Sequence, residues 1–449
     1  MKRFLDTLKG IKQYPTAIFG VIVVLALLIS ALVVVITIPY DTAITTWRGG
    51  EEIVYKNPRN APPTWYNWFR KEKLVESFDL KEGDENVTVE EEVTEGGTKI
   101  KTVTFAFDYE YDSFPQDIQL YFKSEYQAKQ PFVSVKMITP DEREIKLQNF
   151  TIGKTYTYPF LQDQKLMKRL GGVTPNIGLF LDPESAEQKS IKGTYRVVVE
   201  AVCFEPDSDV HPEFVFHGQV FGWAGTDHMR RDLSLPLLWG IPIALSFGLL
   251  AALGTSLLTM IIAAIGTWFG GFVDALIQRI TEVNMVLPFL CILIMIGTFY
   301  PSGRSIWTIL GVTILLSIFT GGIKSYRAMF MQVKESTYIE AAKAYGASDS
   351  RIIFKYLIPR MIPLLLPTLI SSVPSFVFLE ASLALLGIGD PVLPTWGKMI
   401  NEAYNNAALY RGWYYWIMEP AVLLMITGLG FASLGFALDR IFNPRLRGV

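Results

Sequence analysis

The sequence has few of the residues that build disulfide frameworks and metal sites. Only two cysteines and three histidines occur among its 449 residues. Cys291 lies in an apolar run and Cys203 in a polar region, so a bridge between them is not expected. We therefore predict no disulfide framework, and no metal site built from cysteine or histidine.

A complete phosphate-binding loop is also missing. Gly153-Lys154-Thr155 looks like the end of such a loop, but the upstream glycine of the pattern would fall at position 148, which is Gln148. We therefore predict that the chain is not an enzyme, has no ATP site of its own and binds no cofactor.

Charge is scarce along several stretches, although 19% of all residues are charged and 50% are hydrophobic. Roughly 20 apolar residues cross the hydrocarbon core of a bilayer, so these stretches predict membrane spans. We expect the first to remain as a span, because a signal peptide has a shorter apolar region and a small-residue cleavage site. The uncharged runs are 17–38, 233–273, 283–303, 305–323, 361–379 and 420–438. Within them, Gly266, Gly270 and Gly271 predict a turn after the second span, and Pro363, Pro367 and Pro374 predict kinks in the fifth.

The region between the first two spans has a different composition. Residues 41–232 hold 23 Lys and Arg against 32 Asp and Glu, a net charge of −9, whereas the rest of the chain carries +7. This contrast predicts an acidic soluble domain inserted into a membrane protein. Its first part, 47–86, is expected to be irregular with a short helix near 65–76. Alternating apolar residues, separated by turn signals at 95–97 and 139–141, then predict a small β-sandwich with strands in 101–107, 118–122, 132–137 and 195–202.

The distribution of basic residues predicts the topology. If the N-terminus is cytoplasmic, the cytoplasmic loops of a six-span chain hold fifteen Lys and Arg and the short outer loops hold three. We therefore predict a polytopic α-helical protein of the cytoplasmic membrane, with both termini inside and a large β-rich extracellular insert between spans one and two. The predicted parts are a cytoplasmic N-terminus (1–15), transmembrane helix one (16–40), the β-rich domain (41–232), a five-helix core (233–440) and a cytoplasmic tail (441–449).

A polar stretch at 334–360 lies between two predicted spans. Thr337 and Glu340 have the spacing of a capping box, and Gly346 is expected to end the first helix in a left-handed conformation. Ser348 or Asp349 would cap a second helix that stops at Pro359. An apolar stripe of Ile352, Ile353, Tyr356 and Leu357 runs along that second helix. By itself, a helix–glycine–helix of this kind is usually a solvated loop with one apolar side.

The order of residues in this stretch is more specific. Glu340-Ala341-Ala342, a glycine three residues after Lys343 and the ending Ile358-Pro359 resemble the EAA loop of permease subunits in binding-protein-dependent ABC importers. In that family the loop is a coupling helix that docks into a groove on the ATP-hydrolysing subunit. The resemblance implies that ATPase coupling involves Glu340, Ala341, Ala342, Gly346, Ile353, Leu357 and Pro359.

Other segments resemble the peptide-type permeases of that family. Gly225-Thr226-Asp227, followed by Arg231-Asp232, is similar to their Gly-Thr-Asp-x-x-Gly-Arg-Asp segment before span two, with Arg230 in place of the glycine. The segment 270–274 is similar to their cytoplasmic Gly-Gly-x-x-Asp turn, and 443–447 to their C-terminal tail. Two more segments, 380–389 and 394–397, are similar to stretches at the outer face, near the docked binding protein. They supply the outer-face and gating candidates Glu380, Gly387, Gly389, Trp396 and Gly397, and Glu419 is a further ionisable residue in a span.

The resemblance implies one of two permease subunits of a dipeptide/oligopeptide or nickel importer, which provides half of the translocation pathway by alternating access. The implied partners are a second homologous permease subunit, two ATPase subunits that bind ATP and Mg²⁺, an extracellular solute-binding protein and the lipid bilayer, with no nucleic acid. Two alternatives stay open, a membrane-anchored binding or sensor protein and an exporter or channel. The cargo also stays open among dipeptides, oligopeptides, oligosaccharides and metals.

Overall fold

The computed structural model describes residues 15–94, 98–183, 189–300 and 305–442. The chain divides into two compact units. One contains the described residues up to Arg48 and those from Leu235 onward, and the other contains Gly49–Ser234. The first unit starts with α1 (Pro15–Thr37) and α2 (Tyr40–Arg48).

The described part of the second unit, which we call the β-rich unit, has nine strands, with short helices before and between them. Helix α3 (Glu51–Val54) and a 3₁₀ turn (Thr64–Phe69) precede the first strand. A 3₁₀ turn (Phe160–Gln162), α4 (Gln164–Arg169) and α5 (Pro175–Gly178) lie between the seventh and eighth strands. The strands are β1 (Phe78–Lys81), β2 (Val87–Val93), β3 (Lys99–Tyr109), β4 (Asp117–Glu125), β5 (Phe132–Ile138), β6 (Glu144–Thr151), β7 (Thr155–Pro159), β8 (Gly193–Cys203) and β9 (Asp209–His217).

These strands form two antiparallel sheets that face one core. The sheet orders are β1-β9-β4-β7 and β2-β3-β8-β5-β6. Alternate residues of β3 are buried, as expected for a strand with one face toward a core. Phe107 of one sheet lies against Phe214 of the other, with ring centroids 5.4 Å apart. The predicted β-sandwich and its four predicted strands are therefore confirmed. The turn signal at 139–141 lies between β5 and β6, whereas the one at 95–97 falls outside the described residues.

The helix predicted near 65–76 is wrong beyond Phe69. The 3₁₀ turn ends there, and the chain then runs without a helix to β1. The side chain of Asn67 stops the helix, because it pairs with the backbone of Leu74 in both directions. Its Nδ2 donates to the Leu74 carbonyl at 3.0 Å, and its Oδ1 accepts the Leu74 N–H at 2.9 Å.

The first unit, which we call the membrane unit, continues with ten helices in its described C-terminal part. They are α6 (Ser234–Phe269), α7 (Gly271–Val286), α8 (Phe289–Phe299), α9 (Ile306–Ile318), α10 (Gly321–Lys334), α11 (Thr337–Ala344), α12 (Asp349–Ile352), α13 (Ile358–Leu385), α14 (Trp396–Asn405) and α15 (Tyr415–Phe442). A π-helical turn, Ile353–Leu357, joins α12 to α13.

Four helical segments are long and apolar enough to cross a membrane, and two bent pairs raise the number to as many as six. The helices α7 and α8 meet at 81°, and α9 and α10 at 50°, so the third and fourth predicted runs are not single straight helices. Asn284 supports the second bend, since its Nδ2 donates to the carbonyls of Leu316 at 3.0 Å and Phe319 at 2.7 Å. Polar groups freed by a bend are thereby satisfied within the protein.

The predicted turn after the second span differs from the structure in one residue. Gly266 lies inside α6, and the turn is made by Gly270 and Gly271 alone, at φ values of 63° and 49°. Pro363, Pro367 and Pro374 lie inside α13 (Ile358–Leu385), and the kinks expected at them stay a prediction.

Candidate functional site

The segment 334–360 forms the predicted helix–glycine–helix. Gly346 has a φ of 76° and ends α11. Its N–H donates to the Lys343 carbonyl at 2.9 Å, and the Ala347 N–H donates to the Ala342 carbonyl at 3.0 Å. This pattern satisfies the last carbonyls of the helix and requires the left-handed residue, as predicted.

The two ends of the segment differ from the prediction. The N-cap of α11 is Ser336, whose hydroxyl donates to the Val333 carbonyl, and Thr337 is already helical, so the capping box is wrong. Pro359 does not stop the second helix, which continues into α13. The π-helical turn directly before it widens the backbone, where a regular helix would place the proline ring against the carbonyl four residues earlier.

The segment has a buried face and an exposed face. The apolar residues Ile339, Ile352, Ile353 and Leu357 are each at most 2% exposed. Glu340, Ala341 and Gly346 are exposed, and so is Tyr345, at 93%. Thus Ile353 and Leu357, predicted as coupling residues, hold the segment onto its own unit. Tyr345 was missed by the sequence analysis, since only its position beside Gly346 could have drawn attention to it.

The segment is anchored at the end of α6 through Trp268. The Trp268 indole N–H donates to Oδ1 of Asp349 at 3.0 Å, and the Lys343 ammonium lies 4.6 Å from the ring centroid. Lys334 Nζ donates to the carbonyls of Thr267 and Trp268, each at 3.0 Å. A lysine on the last carbonyls of a helix also complements the helix dipole. None of these contacts was predicted, because a tryptophan at the end of an apolar run has no specific pattern.

An ion pair ties α7 to α10 near the same segment. Arg327 Nε lies 2.7 Å from Oδ1 of Asp274 and 3.0 Å from Oδ2, and its Nη2 lies 2.5 Å from Oδ2. Paired, charge-assisted hydrogen bonds of this kind fix both distance and orientation. The aspartate of the Gly-Gly-x-x-Asp segment therefore joins two helices of the membrane unit.

The predicted outer-face residues come together around Trp396. Its indole N–H donates to the Leu237 carbonyl at 2.9 Å, and a Cβ on Gly240 would lie 2.3 Å from its ring. Glu380 is buried, and its carboxyl interacts with Thr395, next to Trp396. These contacts bring α6, α13 and α14 into one tightly packed cluster.

The glycines of this region allow close approach. A Cβ on Gly397 would lie 2.5 Å from the Ala381 carbonyl, and one on Gly389 would lie 2.8 Å from Ala384. Gly387 ends α13 at a φ of 77°. Asp390 was not predicted. Its carboxylate accepts the N–H of Ile306, at the start of α9, at 3.0 Å.

The segment before α6 is a hydrogen-bonded turn within the β-rich unit. Oδ2 of Asp227 lies 2.6 Å from both Nε and Nη2 of Arg231, and both side chains are buried. Oδ1 of Asp232 accepts the N–H of Ser234, the first residue of α6, at 2.8 Å. Thr226 donates to the Pro58 carbonyl at 2.8 Å, and the positive φ of Gly225, 74°, allows the turn.

Arg230 has a left-handed backbone conformation. Its φ is 66°, in a region that side chains disfavour. Contacts of the Arg230 side chain offset this cost, because Nη1 donates to the Asn57 carbonyl at 3.2 Å and lies 3.1 Å from Nε2 of His217. The Arg230 carbonyl accepts from the Asn57 amide at 2.9 Å. The turn therefore forms with arginine at this position and is held by these contacts.

A groove of about 1020 Å³ lies on the outer side of the four-stranded sheet. Its lining has charges of both signs and aromatic rings, including Lys81, Lys123, Glu213, Tyr121 and Tyr156. The Tyr55 hydroxyl donates to Glu213 at 2.7 Å, and burial together with this carboxylate raises the pKa of Tyr55 to about 12. The phenol therefore stays protonated at neutral pH and holds the carboxylate in place.

Comparison with known proteins identifies the family. Residues 255–448 match the family described as "Binding-protein-dependent transport system inner membrane component". The oligopeptide permease OppC of Bacillus subtilis (strain 168) is 31% identical over 229 residues, which are 50% of this chain and 72% of the relative. The chain belongs to this permease family. The dipeptide permease DppC of the same strain is 30% identical over 226 residues, with coverages of 50% and 69%. The peptidoglycan permease YejE of Agrobacterium fabrum is 31% identical over 224 residues, with coverages of 50% and 57%.

The predicted resemblance to dipeptide- and oligopeptide-type ABC importer permeases is thereby confirmed. The chain has a membrane permease domain with several apolar helices and, before it, a β-rich region. The β-rich unit lies outside the residues matched by the family. The predicted C-terminal tail, 443–447, falls outside the described residues.

Proposed function

We propose that this permease forms half of the translocation pathway of an ABC importer and that the exposed face of 334–360 docks on separate ATPase subunits. The observation that supports this is the division of the segment into two faces. Ile339, Ile352 and Leu357 are buried in the unit's own packing. Glu340, Ala341, Tyr345 and Gly346 are left on the surface. A solvated loop would not need a rigid anchor on the end of a membrane helix.

The contacts suggest how movement would pass from the ATPases to the membrane helices. Trp268 joins the segment to α6 through Asp349 and Lys343, and the π-helical turn joins it without a break to α13. A displacement of α11 by the ATPases would therefore move both helices together. In alternating access, this displacement would open the pathway toward a solute-binding protein when ATP and Mg²⁺ are bound by the ATPases.

The topology that completes this proposal has six spans, with both bent helix pairs counted as spans. Both termini and 334–360 lie in the cytoplasm, and the β-rich unit lies outside. The support is the distribution of basic residues, fifteen in the cytoplasmic loops against three in the short outer loops. A peptide is the proposed cargo, in line with the relatives named as dipeptide and oligopeptide permeases. A second permease subunit would provide the other half of the pathway.

Co-purification with candidate ATPase subunits tests the coupling. We expect the native chain to retain an ATPase, and Gly346→Asp and Glu340→Ala to lose it or to retain it without coupled transport. The matched control is Lys398→Ala, an exchange in α14 outside the docking segment. If no ATPase binds the native chain, the coupling proposal is wrong.

A second proposal concerns the β-rich unit, which we infer to dock the solute-binding protein. The groove on its four-stranded sheet supports this, because a concave surface with charges of both signs suits a polar protein partner. Deletion of 41–216 should weaken association with the binding protein. Lys81→Glu together with Lys123→Glu should weaken it with the fold intact, and unchanged association in both variants would contradict the proposal.

A further inference from the structure

Three large aromatic side chains lie exposed at one corner of the β-rich unit. On the 3₁₀ turn, Trp68 is 83% exposed and Phe69 is 81% exposed, and Trp223 nearby is 53% exposed. We call Trp68, Phe69 and Trp223 the aromatic patch. Adjacent exposed rings of this size on a soluble domain usually mark a contact surface.

The backbone that presents the patch is fixed. Asn67 is buried and pairs with Leu74 through both atoms of its amide group. The Trp65 indole N–H donates to the Trp223 carbonyl at 3.0 Å, which joins the two parts of the patch. The N–H of Thr64 donates to the Gly222 carbonyl at 2.8 Å. Exposure of these rings is therefore built into the fold and is not the property of a loose loop.

Basic residues directly follow the aromatic turn. Arg70, Lys71 and Lys73 are all exposed, with Glu72 the one acidic residue among them. Each Lys or Arg near an anionic membrane surface adds about 1 kcal/mol of attraction. Tryptophan rings are enriched at the level of the lipid headgroups, where one part of the ring is in apolar and the other in polar surroundings. The combination has the composition of an interfacial membrane anchor.

The chain connects the patch closely to the residue that precedes α6. The Leu233 N–H donates to the Gly225 carbonyl at 3.0 Å, and Leu233 immediately precedes α6. Trp223 is only two residues before Gly225, about 7 Å along an extended chain. Inside the membrane unit, Trp239 of α6 shares a core with Val34 near the end of α1, so α6 reaches the level of the first span within its first two turns.

We propose that the aromatic patch lies in the lipid–water interface, with Arg70, Lys71 and Lys73 at anionic lipid phosphates. The patch would hold the β-rich unit against the bilayer. A lipid surface is favoured over a protein partner for two reasons. Trp223 is two residues from Gly225, which hydrogen-bonds Leu233 directly before α6, and basic side chains follow the aromatic turn. The inference needs the membrane permease alone and does not depend on which side of the membrane the unit occupies.

The test uses the full chain in nanodiscs of phosphatidylcholine and phosphatidylglycerol. In a Cys291→Ala background, Cys203 is buried, so a cysteine introduced by Trp68→Cys is the reactive thiol for an environment-sensitive fluorophore. Val93→Cys is the matched control, since Val93 is 73% exposed on β2 of the same unit. Nitroxide-labelled lipids should quench the probe at position 68 at least twofold more than the probe at position 93.

Two further measurements separate lipid from other sources of quenching. The double variant Arg70→Glu and Lys71→Glu should show less quenching at position 68. The chain that keeps its native basic residues should also show less quenching when the nanodiscs contain phosphatidylcholine alone. Equal quenching at 68 and 93 would overturn the proposal, and so would a response at 68 that arises only when a solute-binding protein is added. Retention of the ATPase should be unchanged in Trp68→Cys, so failure of this inference is distinguishable from failure of the proposed coupling.

Discussion

The indole N–H of Trp268 donates to the Asp349 carboxylate at 3.0 Å and joins the end of α6 to the start of α12. The Lys343 ammonium lies over the same indole ring, 4.6 Å from its centroid. One side chain of a membrane helix therefore contacts both short helices of 334–360. This relationship makes the segment a rigid extension of the membrane helices, which a coupling element requires.

Loss of the Trp268 anchor should weaken ATPase binding. A hydrogen bond to a charged group contributes about 1.5–3 kcal/mol and a cation–π contact about 0.5–1 kcal/mol. If Trp268→Ala weakens the free energy of ATPase binding by about 1.4 kcal/mol, the affinity for the ATPase falls about tenfold. Trp268→Phe keeps a ring for Lys343 but has no indole N–H, so its effect should be smaller. Titration of the ATPase against the permease in nanodiscs measures both affinities.

Trp307→Phe provides the control for this pair, since Trp307 is 62% exposed on α9, away from 334–360. It should leave affinity unchanged. Equal affinities for the native chain and Trp268→Ala would show that the anchor has no part in docking.

Gly346 should tolerate asparagine better than alanine. An added Cβ would meet no atom within 4 Å, so any cost comes from the φ of 76° and not from a clash. An alanine in the left-handed region costs about 1–2 kcal/mol, whereas asparagine adopts this region more readily. ATPase affinity should fall in the order native, Gly346→Asn, Gly346→Ala. The reverse order for the two variants would mean that backbone strain is not the cause.

Arg230 offers a test of strain in the β-rich unit. Arg230→Ala and Arg230→Gly both lose the side-chain contacts with the Asn57 carbonyl and His217. Only alanine keeps the energetic cost of a side chain at a φ of 66°. We expect Arg230→Gly to be about 1 kcal/mol more stable than Arg230→Ala. The free energy of unfolding can be followed in the intact chain from the accessibility of the Cys203 thiol in urea, with Cys291→Ala as background. Equal stability of the two variants would show that the left-handed backbone at position 230 causes no strain.

Acid should destabilise the β-rich unit through Asp209. Burial opposes ionisation, but the Val210 N–H and the ammonium of Lys101, 3.2 Å away, together hold the pKa of Asp209 below its usual 3.8. Above the unfolded pKa the carboxylate is ionised in both states, and its stabilisation is complete. As pH falls below about 3.8, the unfolded chain takes up the proton first, and stability declines until the folded carboxyl is also protonated.

The same Cys203 assay, with a disulfide reagent that reacts in acid, measures this dependence. Asp209→Asn should be less stable than the native chain at pH 7, and the difference should shrink as pH falls through the range below 3.8. A constant difference between pH 7 and pH 2 would mean that Asp209 does not contribute through its charge.

The sequence reveals features that rest on a repeated pattern or on a backbone requirement. Alternation in β3, the uncharged stretch of α1 and the left-handed Gly346 follow directly from side-chain periodicity, hydrophobic length and glycine geometry. The β-sandwich and the permease family were predictable for this reason.

Features that depend on one particular side-chain contact or on a local change of helix type were not predictable. Asn67 ends a helix because of Leu74, and Asn284 supports a bend whose carbonyls come from α9. The helix passes Pro359 because a π-helical turn precedes it. In the candidate site, the periodicity predicted an apolar stripe. It did not show that Ile353 and Leu357 would be buried against their own unit. The sequence has no signal for which of two faces remains free.

Site-specific crosslinking at position 345 shows whether the exposed face of 334–360 contacts an ATPase. With Cys291→Ala as background, Tyr345→Cys places a reactive thiol at a position that is 93% exposed in the native chain, and Val286→Cys, at 83%, is the control on α7. We expect a crosslink to the ATPase from position 345 and none from position 286, with a yield that changes when ATP is added. A co-purifying ATPase that never crosslinks to position 345 would show that this face is not the docking surface.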